Sequence, residues 1–324
     1  MKSNNTNFKI NSKNKNKIKL NISKYEKILL VFITLFIIYN NYKTKIDVSK
    51  IIDKIINIDN NTCKIIKNKL KNRNGPFDFQ EEFFFISSLI SCKIPFSFIR
   101  FGDGENLIMR GQSIKTENDN WNWDGKNTKF RASLIESSSI CTNQNSFISL
   151  PCENWITISK SILSFSNCTS SKFMSYATLF INKNYQIFKN WIIRFLNSSN
   201  RWKIVLVANS IIKKNISWAY KFFPIHDHIV ENWEKYRIFL LPKLSEEVKQ
   251  NNLIFFISAG PAANIIISYL HKINNKNIYI DVGSSIEFIT KGYSTREYSK
   301  TKSKYSKQKC KSFYIFNKTL IYKR

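Results

Sequence analysis

The chain is poor in the spacings that mark several widespread catalytic and metal-binding designs. It has three histidines, no Gly-x-Ser-x-Gly turn, no Gly-x-x-x-x-Gly-Lys loop and no Cys-x-x-Cys pair. These absences remove support from serine-hydrolase, P-loop NTPase and zinc-ribbon readings. Acidic residues are scarce too: 22 Asp and Glu stand against 51 Lys and Arg, a formal charge of +29. The basic excess sits at the two ends, in residues 1–75 and 291–324. Tails of this kind attach to acidic partners, either an anionic membrane surface or nucleic acid. Because Lys, Asn and Ile dominate everywhere, as A+T-rich coding also produces, the charge does not mark a nucleic-acid enzyme. No specific nucleic-acid partner is expected.

Residues 1–24 are nearly all Lys, Asn and Ser with scattered Ile, too little apolar surface to offset ordering entropy, and read as a disordered basic tail. The apolar stretch Ile28 to Tyr39 follows, about twelve residues against the roughly twenty that span a bilayer. Tyr25 and Tyr42 extend it as interfacial aromatics, and its Lys-rich N-terminal flank fits the positive-inside rule. With no small-residue cleavage site after it, residues 25–43 read as an uncleaved signal-anchor helix. The expected arrangement is a single-pass type II membrane protein with its catalytic domain lumenal or extracytoplasmic. Six spread-out cysteines (Cys63, Cys92, Cys141, Cys152, Cys168, Cys310) and, downstream of the anchor, five Asn-x-Ser/Thr sites starting at Asn60, Asn167, Asn197, Asn215 and Asn317 are compatible with that side of the membrane.

Residues 44–76 read as a stem ending at Asn74-Gly75-Pro76, residues 77–295 as the globular domain, and 296–324 as a basic tail. Within the domain, apolar runs near 96–101, 146–150, 173–177, 203–208, 226–230, 253–258 and 277–281 predict strands. Amphipathic stretches near 78–91, 128–140, 154–164, 183–196, 211–222, 239–250 and 261–273 predict helices. This alternation implies an α/β fold, a mostly parallel sheet with helices on both faces. Such sheets bind ligands at the carboxyl ends of their strands. Arg100, Asp103 and Glu105, then Asn209, then Ser258 and Gly260, then Asp281, Gly283 and Ser284 all stand at or just after the ends of predicted strands.

The most telling segment is Arg100-Phe101-Gly102-Asp103-Gly104-Glu105. In an extended or tightly turned backbone, Asp103 and Glu105 point to one side and can converge on a cation. Gly102 and Gly104 permit positive φ and close approach to a ligand. Hard oxygen donors suit Mg²⁺, Mn²⁺ or Ca²⁺, and Mg²⁺ shares its shell with phosphates. The plainer alternative is a turn whose Glu105 caps the next helix. Ser258 to Ala262 reads as a small-residue turn opening a helix whose N-terminus can hold phosphate, or as an ordinary Gly-Pro helix start.

These motifs resemble the GT-D-type glycosyltransferases. The Arg-aromatic-Gly-Asp-Gly-Glu run is similar to that family's signature with its Asp-x-Glu motif, and Ser258-Ala259-Gly260-Pro261-Ala262 and Tyr279-Ile280-Asp281-Val282-Gly283 match its later segments in order, over residues 90–290. The resemblance implies a Rossmann-like sheet, a nucleotide-sugar donor and a divalent ion, Mn²⁺ or Mg²⁺, at Asp103 and Glu105. Ser284 departs from the pattern, standing where a His follows Asp-x-Gly. Transfer to a glycan or glycoprotein acceptor needs a base if the anomeric centre inverts, and Asp281 and Asp124 are the candidates. Arg100 either contacts phosphate or pairs with a neighbouring carboxylate. Trp121-Asn122-Trp123 either stacks on a sugar or base or forms a packed loop. His226-Asp227-His228 could hold Zn²⁺, or start a strand. The competing reading of the whole chain is a non-catalytic, membrane-tethered glycan- or nucleic-acid-binding protein on a decayed transferase fold.

Overall fold

The structure, a computed structural model, describes residues 47–310 apart from 117–120, 144, 153–155, 169, 199–201, 213 and 295. The segments 1–24 and 25–43 and residues 311–324 lie outside the described residues. Two units divide at Lys50. Of the first, residues 47–50 are described and are helical. Among the described residues no helix is long and apolar enough to cross a membrane.

The unit Ile51–Arg324 is built on a seven-stranded sheet. Its strands are β1 (Phe96–Arg100), β4 (Ser146–Leu150), β5 (Met174–Tyr176), β6 (Lys203–Asn209), β7 (Lys221–Ile225), β8 (Leu253–Ile257) and β9 (Ile278–Asp281), in the order β5-β4-β1-β9-β8-β6-β7. Every neighbouring pair is parallel. Strands buried on both faces need continuous apolar runs, and Leu253-Ile254-Phe255-Phe256-Ile257 is buried at every position. Two short strands, β2 (Ile114–Lys115) and β3 (Asn122–Trp123), form a separate antiparallel pair.

Helical residues 51–56 (α1) are followed by α2 (Asn60–Lys71), α3 (Phe79–Ser91), α4 (Asp103–Met109), α5 (Thr128–Ser137), α6 (Ile156–Phe165), α7 (Tyr185–Asn197), α8 (Trp233–Val248), α9 (Ala262–Ile273) and α10 (Glu287–Thr290). Both faces of the sheet are covered, as successive β4 residues show. Ser146 Oγ lies 3.2 Å from His271 Nε2 of α9, whereas Phe147 turns to Phe96 and Phe98. That second face continues through Phe180 to Phe83 of α3 and Phe188 of α7.

Two predicted elements are corrected. No helix forms among the described residues of 211–222, where Asn209 and Asn215 side chains capture the N–H groups of Ile211 and Ser217 and so compete with helical bonding. The strand predicted at 226–230 lies at Lys221–Ile225 instead. Pro224 masks it in sequence, yet β7 is an edge strand, where a residue without an N–H is tolerated.

Within the unit Ile51–Arg324, parts of the segments read as stem and tail are tied to the globular domain. Cys63–Cys92 ties α2 to the end of α3, and Arg73 is buried in a paired contact with Glu82. Past 296, Tyr298 is buried, and Cys310 is bonded to Cys152, just after β4.

Candidate functional site

The strand order reverses between β1 and β9, which places a crevice at their carboxyl ends. A cavity of about 280 Å³ opens there, lined by Arg100, Asp103, Gly104, Glu105, Asn209, Ser258, Gly260, Gly283 and Ser284 among others. Nine of the sequence-derived site residues, from the ends of β1, β6, β8 and β9, thus face one space.

At the floor, Arg100 at the end of β1 bonds Asp281 at the end of β9, Nη2 to Oδ1 at 3.0 Å. Asp281 also accepts the Gly283 N–H at 2.9 Å. Of the two roles open to Arg100, the structure shows the carboxylate pair. Burial raises the Asp281 carboxyl above its ordinary range, against the opposing pull of the guanidinium. Gly283 has φ +47°, and a Cβ there would lie 1.8 Å from Arg100 Nη2. Only glycine leaves room for the pair. Asn264 of α9 completes this corner by donating to the Arg100 carbonyl at 2.8 Å.

Asp103 and Glu105 do not sit on extended backbone. They occupy the first turn of α4, where the Glu105 side chain turns back to accept the Gly102 N–H at 2.8 Å and Asp103 Oδ1 accepts the Gly104 N–H at 3.0 Å. The helix-capping alternative for Glu105 is therefore realised, although both residues still line the cavity. Burial pushes the Glu105 carboxyl from 4.5 up to about 7, opposed by its hydrogen bond from Gly102, while nearby Asp281 adds to the rise. No group of three or more His, Cys, Asp and Glu that could hold a metal occurs among the described residues. A cation here would take protein oxygens from Asp103 and Glu105 and complete its shell with water and phosphate oxygens. That donor set fits Mg²⁺, which keeps much of its water.

The glycines near this turn serve a different end from the one their sequence implies. Gly102 has φ −116°, and Gly104 lies inside α4. A Cβ on Gly104 would stand 3.0 Å from the Trp121 ring, and one on Gly260 would stand 3.2 Å from Trp121 Nε1. The indole is wedged between the starts of α4 and α9, and the two glycines make the slot. Gly260 also has φ +53°, so its backbone requires glycine as well.

Gly102, Asp124 and Asp281 are the expected site residues that do not line this cavity. Gly102 lines a neighbouring one with Cys152 and Tyr298. Asp124 is exposed, accepts the Lys126 N–H at 2.9 Å and lines a third cavity with Trp123 and Glu231. Ser284, the departure from the resembled pattern, pairs its hydroxyl with that of Tyr298 at 2.8 Å. Sequence reasoning missed Glu287, Lys291 and Arg296, which also line the switch-point cavity. They follow the Asp-x-Gly segment on α10 and its loop, and no motif marks them. The His226-Asp227-His228 segment lines the cavity as a turn, not a strand. His226 stacks on Tyr236, Asp227 accepts from Asn209, and His228 pairs with Glu231.

No protein-family model and no curated protein matches the chain. Two solved structures are similar to it. One, a selenomethionine-substituted structure of domain of unknown function 1792, is 17% identical with a TM-score of 0.46. The other is described as showing that this highly conserved domain has a distinct glycosyltransferase fold, and is 16% identical with a TM-score of 0.48. Each match covers 72% of this chain and 87% of the other. Likeness at this level leaves function to be read from the cavity itself.

Proposed function

We propose that the chain is a glycosyltransferase that takes a nucleotide-diphosphate sugar as donor and a glycan or glycoprotein as acceptor, with Mg²⁺ or Mn²⁺ held by Asp103 and Glu105. The observation that carries this reading is the convergence of those carboxylates and the Ser258–Pro261 turn on one cavity at the switch point of a parallel sheet. The turn leads into α9, whose N-terminal N–H groups and positive dipole end suit a diphosphate. Lys291 and Arg296 line the same space and add positive charge. Arg100, already paired with Asp281, holds β1 and β9 in register beneath the donor. The metal, when bound, stabilises charge on the departing diphosphate as a Lewis acid.

Residues 25–43 are proposed to anchor the protein, with the catalytic unit on the lumenal or extracytoplasmic side. Pairing of all six cysteines into three disulfides supports an oxidising compartment.

The test is thermal unfolding of the protein with UDP, GDP, UDP-glucose, UDP-N-acetylglucosamine and GDP-mannose, each with and without Mn²⁺. A ligand that binds the native state alone raises the midpoint by mass action. The expected result is a shift that needs both one nucleotide and Mn²⁺ and that vanishes in Asp103→Asn, which keeps the side-chain acceptor for the Gly104 N–H. A shift that survives chelation and the substitution would remove the metal role. No shift in folded protein would favour the non-catalytic reading.

A further inference from the structure

A transferase that inverts the anomeric centre in a single displacement needs a base for the acceptor hydroxyl, and neither carboxylate singled out in the sequence is placed to serve. Asp281 is buried in its pair with Arg100, and Asp124 lies at another cavity. The carboxylates lining the switch-point cavity are engaged as well. Asp103 and Glu105 accept the Gly104 and Gly102 N–H groups, Asp227 accepts from Asn209, and Glu287 pairs with Lys291.

His228 is different. It lines the cavity, its side chain is 55% exposed, and its Nδ1 lies 2.9 Å from Glu231 Oε1. Glu231 is itself fixed, because the same oxygen accepts the Asn122 N–H of β3 at 2.6 Å. A carboxylate at Nδ1 selects the tautomer with its proton there and leaves the lone pair on Nε2, as in other base-and-orienter pairs. His228 also holds φ +63°, a conformation uncommon for residues other than glycine and often found where a side chain must be aimed.

We propose that His228 is the general base of the transfer and Glu231 its positioning residue, an inference that rests on the transferase reading. Nε2 takes the proton of the acceptor hydroxyl as that oxygen bonds to the anomeric carbon. The bond from the anomeric carbon to the diphosphate breaks, and its electron pair leaves on the nucleoside diphosphate. A single displacement of this kind inverts the anomeric configuration.

The experiment uses the full chain, the donors named above and p-nitrophenyl glycosides as acceptors. His228→Gln is expected to lower kcat by about a hundredfold or more, with the nucleotide-dependent thermal shift unchanged. His228→Gly, compatible with the left-handed backbone, is expected to recover activity with added imidazole. The product should carry inverted configuration. Transfer by His228→Gln within threefold of wild type, or a retained configuration, overturns the proposal while leaving the transferase reading in place. Absence of nucleotide binding by the wild type defeats that reading, and this one with it. A separate readout needs no turnover: ¹⁵N NMR of the three histidines should show neutral His228 protonated at Nδ1, with that preference lost in Glu231→Gln. A wild-type ring protonated at Nε2 would overturn the assignment by itself.

Discussion

At the scale of single residues, the site is shaped by groups whose ordinary behaviour is reversed by their surroundings. Glu105 is a carboxylate that burial pushes up to about 7. Its folded value lies above its unfolded one, so the native state holds the proton more tightly. The associated stabilisation is fully present below about 4.5 and is lost as pH rises through about 7. Glu105→Gln, which cannot titrate, should therefore show a flatter stability profile across that window than the wild type. Denaturant midpoints measured at intervals across the window check this, and parallel profiles would show that Glu105 titrates normally. Gly283 is a second case: its need for glycine comes from the Arg100 guanidinium lying where a Cβ would be, a contact between segments far apart in sequence.

At the scale of elements, the polar contacts that join helix to sheet are as buried as the apolar core. Glu82 stands in the first turns of α3, where a sequence reading sees an ordinary helix-start acid. Its carboxylate instead takes both terminal nitrogens of Arg73, at 2.8 and 2.9 Å, the Phe77 N–H at 3.0 Å and the Ser175 hydroxyl of β5 at 2.6 Å. Arg73 further donates to the Lys172 and Met174 carbonyls, and neither side chain of the pair is exposed. Removing the charge of one partner strands the other, at a cost of about 3–5 kcal/mol. Glu82→Gln should lower unfolding stability by that order in urea titration. A loss below about 1 kcal/mol, as for exposed ion pairs, would show that the pair is solvated. The β2–β3 pair is tied by the same logic: Trp121 is slotted between Gly104 and Gly260, and the Asn122 N–H reaches Glu231.

At the scale of the whole molecule, the disulfide Cys152–Cys310 closes 158 residues and fixes the segment after 296 beside the cavity. Cross-linking stabilises mainly by restricting the unfolded chain, typically by 2–4 kcal/mol. The Cys152→Ser/Cys310→Ser double variant should lose about that much stability, read from chemical unfolding, and unfolded but unreduced wild type should present no free thiol to a titrating reagent. Reactive thiols in that sample would mean that the cysteines are not all paired. The expectation of disulfides followed from an even count of cysteines, but their partners depend on which chain segments the fold brings together.

The sequence by itself determined the parallel α/β plan and which strand ends would line the crevice. Continuous apolar runs separated by amphipathic stretches allow few other arrangements, and the Gly, Asp, Ser and Asn residues that end those runs fall at the carboxyl edge by construction. Local competition was hidden: Asn side chains dissolved the helix predicted at 211–222, and Pro224 concealed an edge strand because only the finished sheet shows which strand lies at its edge. Tertiary structure alone decided what each site residue faces. Arg100 meets Asp281, the Gly104 and Gly260 slot receives Trp121, and His228 meets Glu231 beside Asn122. Two of these three are contacts between distant parts of the chain, and all depend on side-chain direction, which neither spacing nor motif encodes.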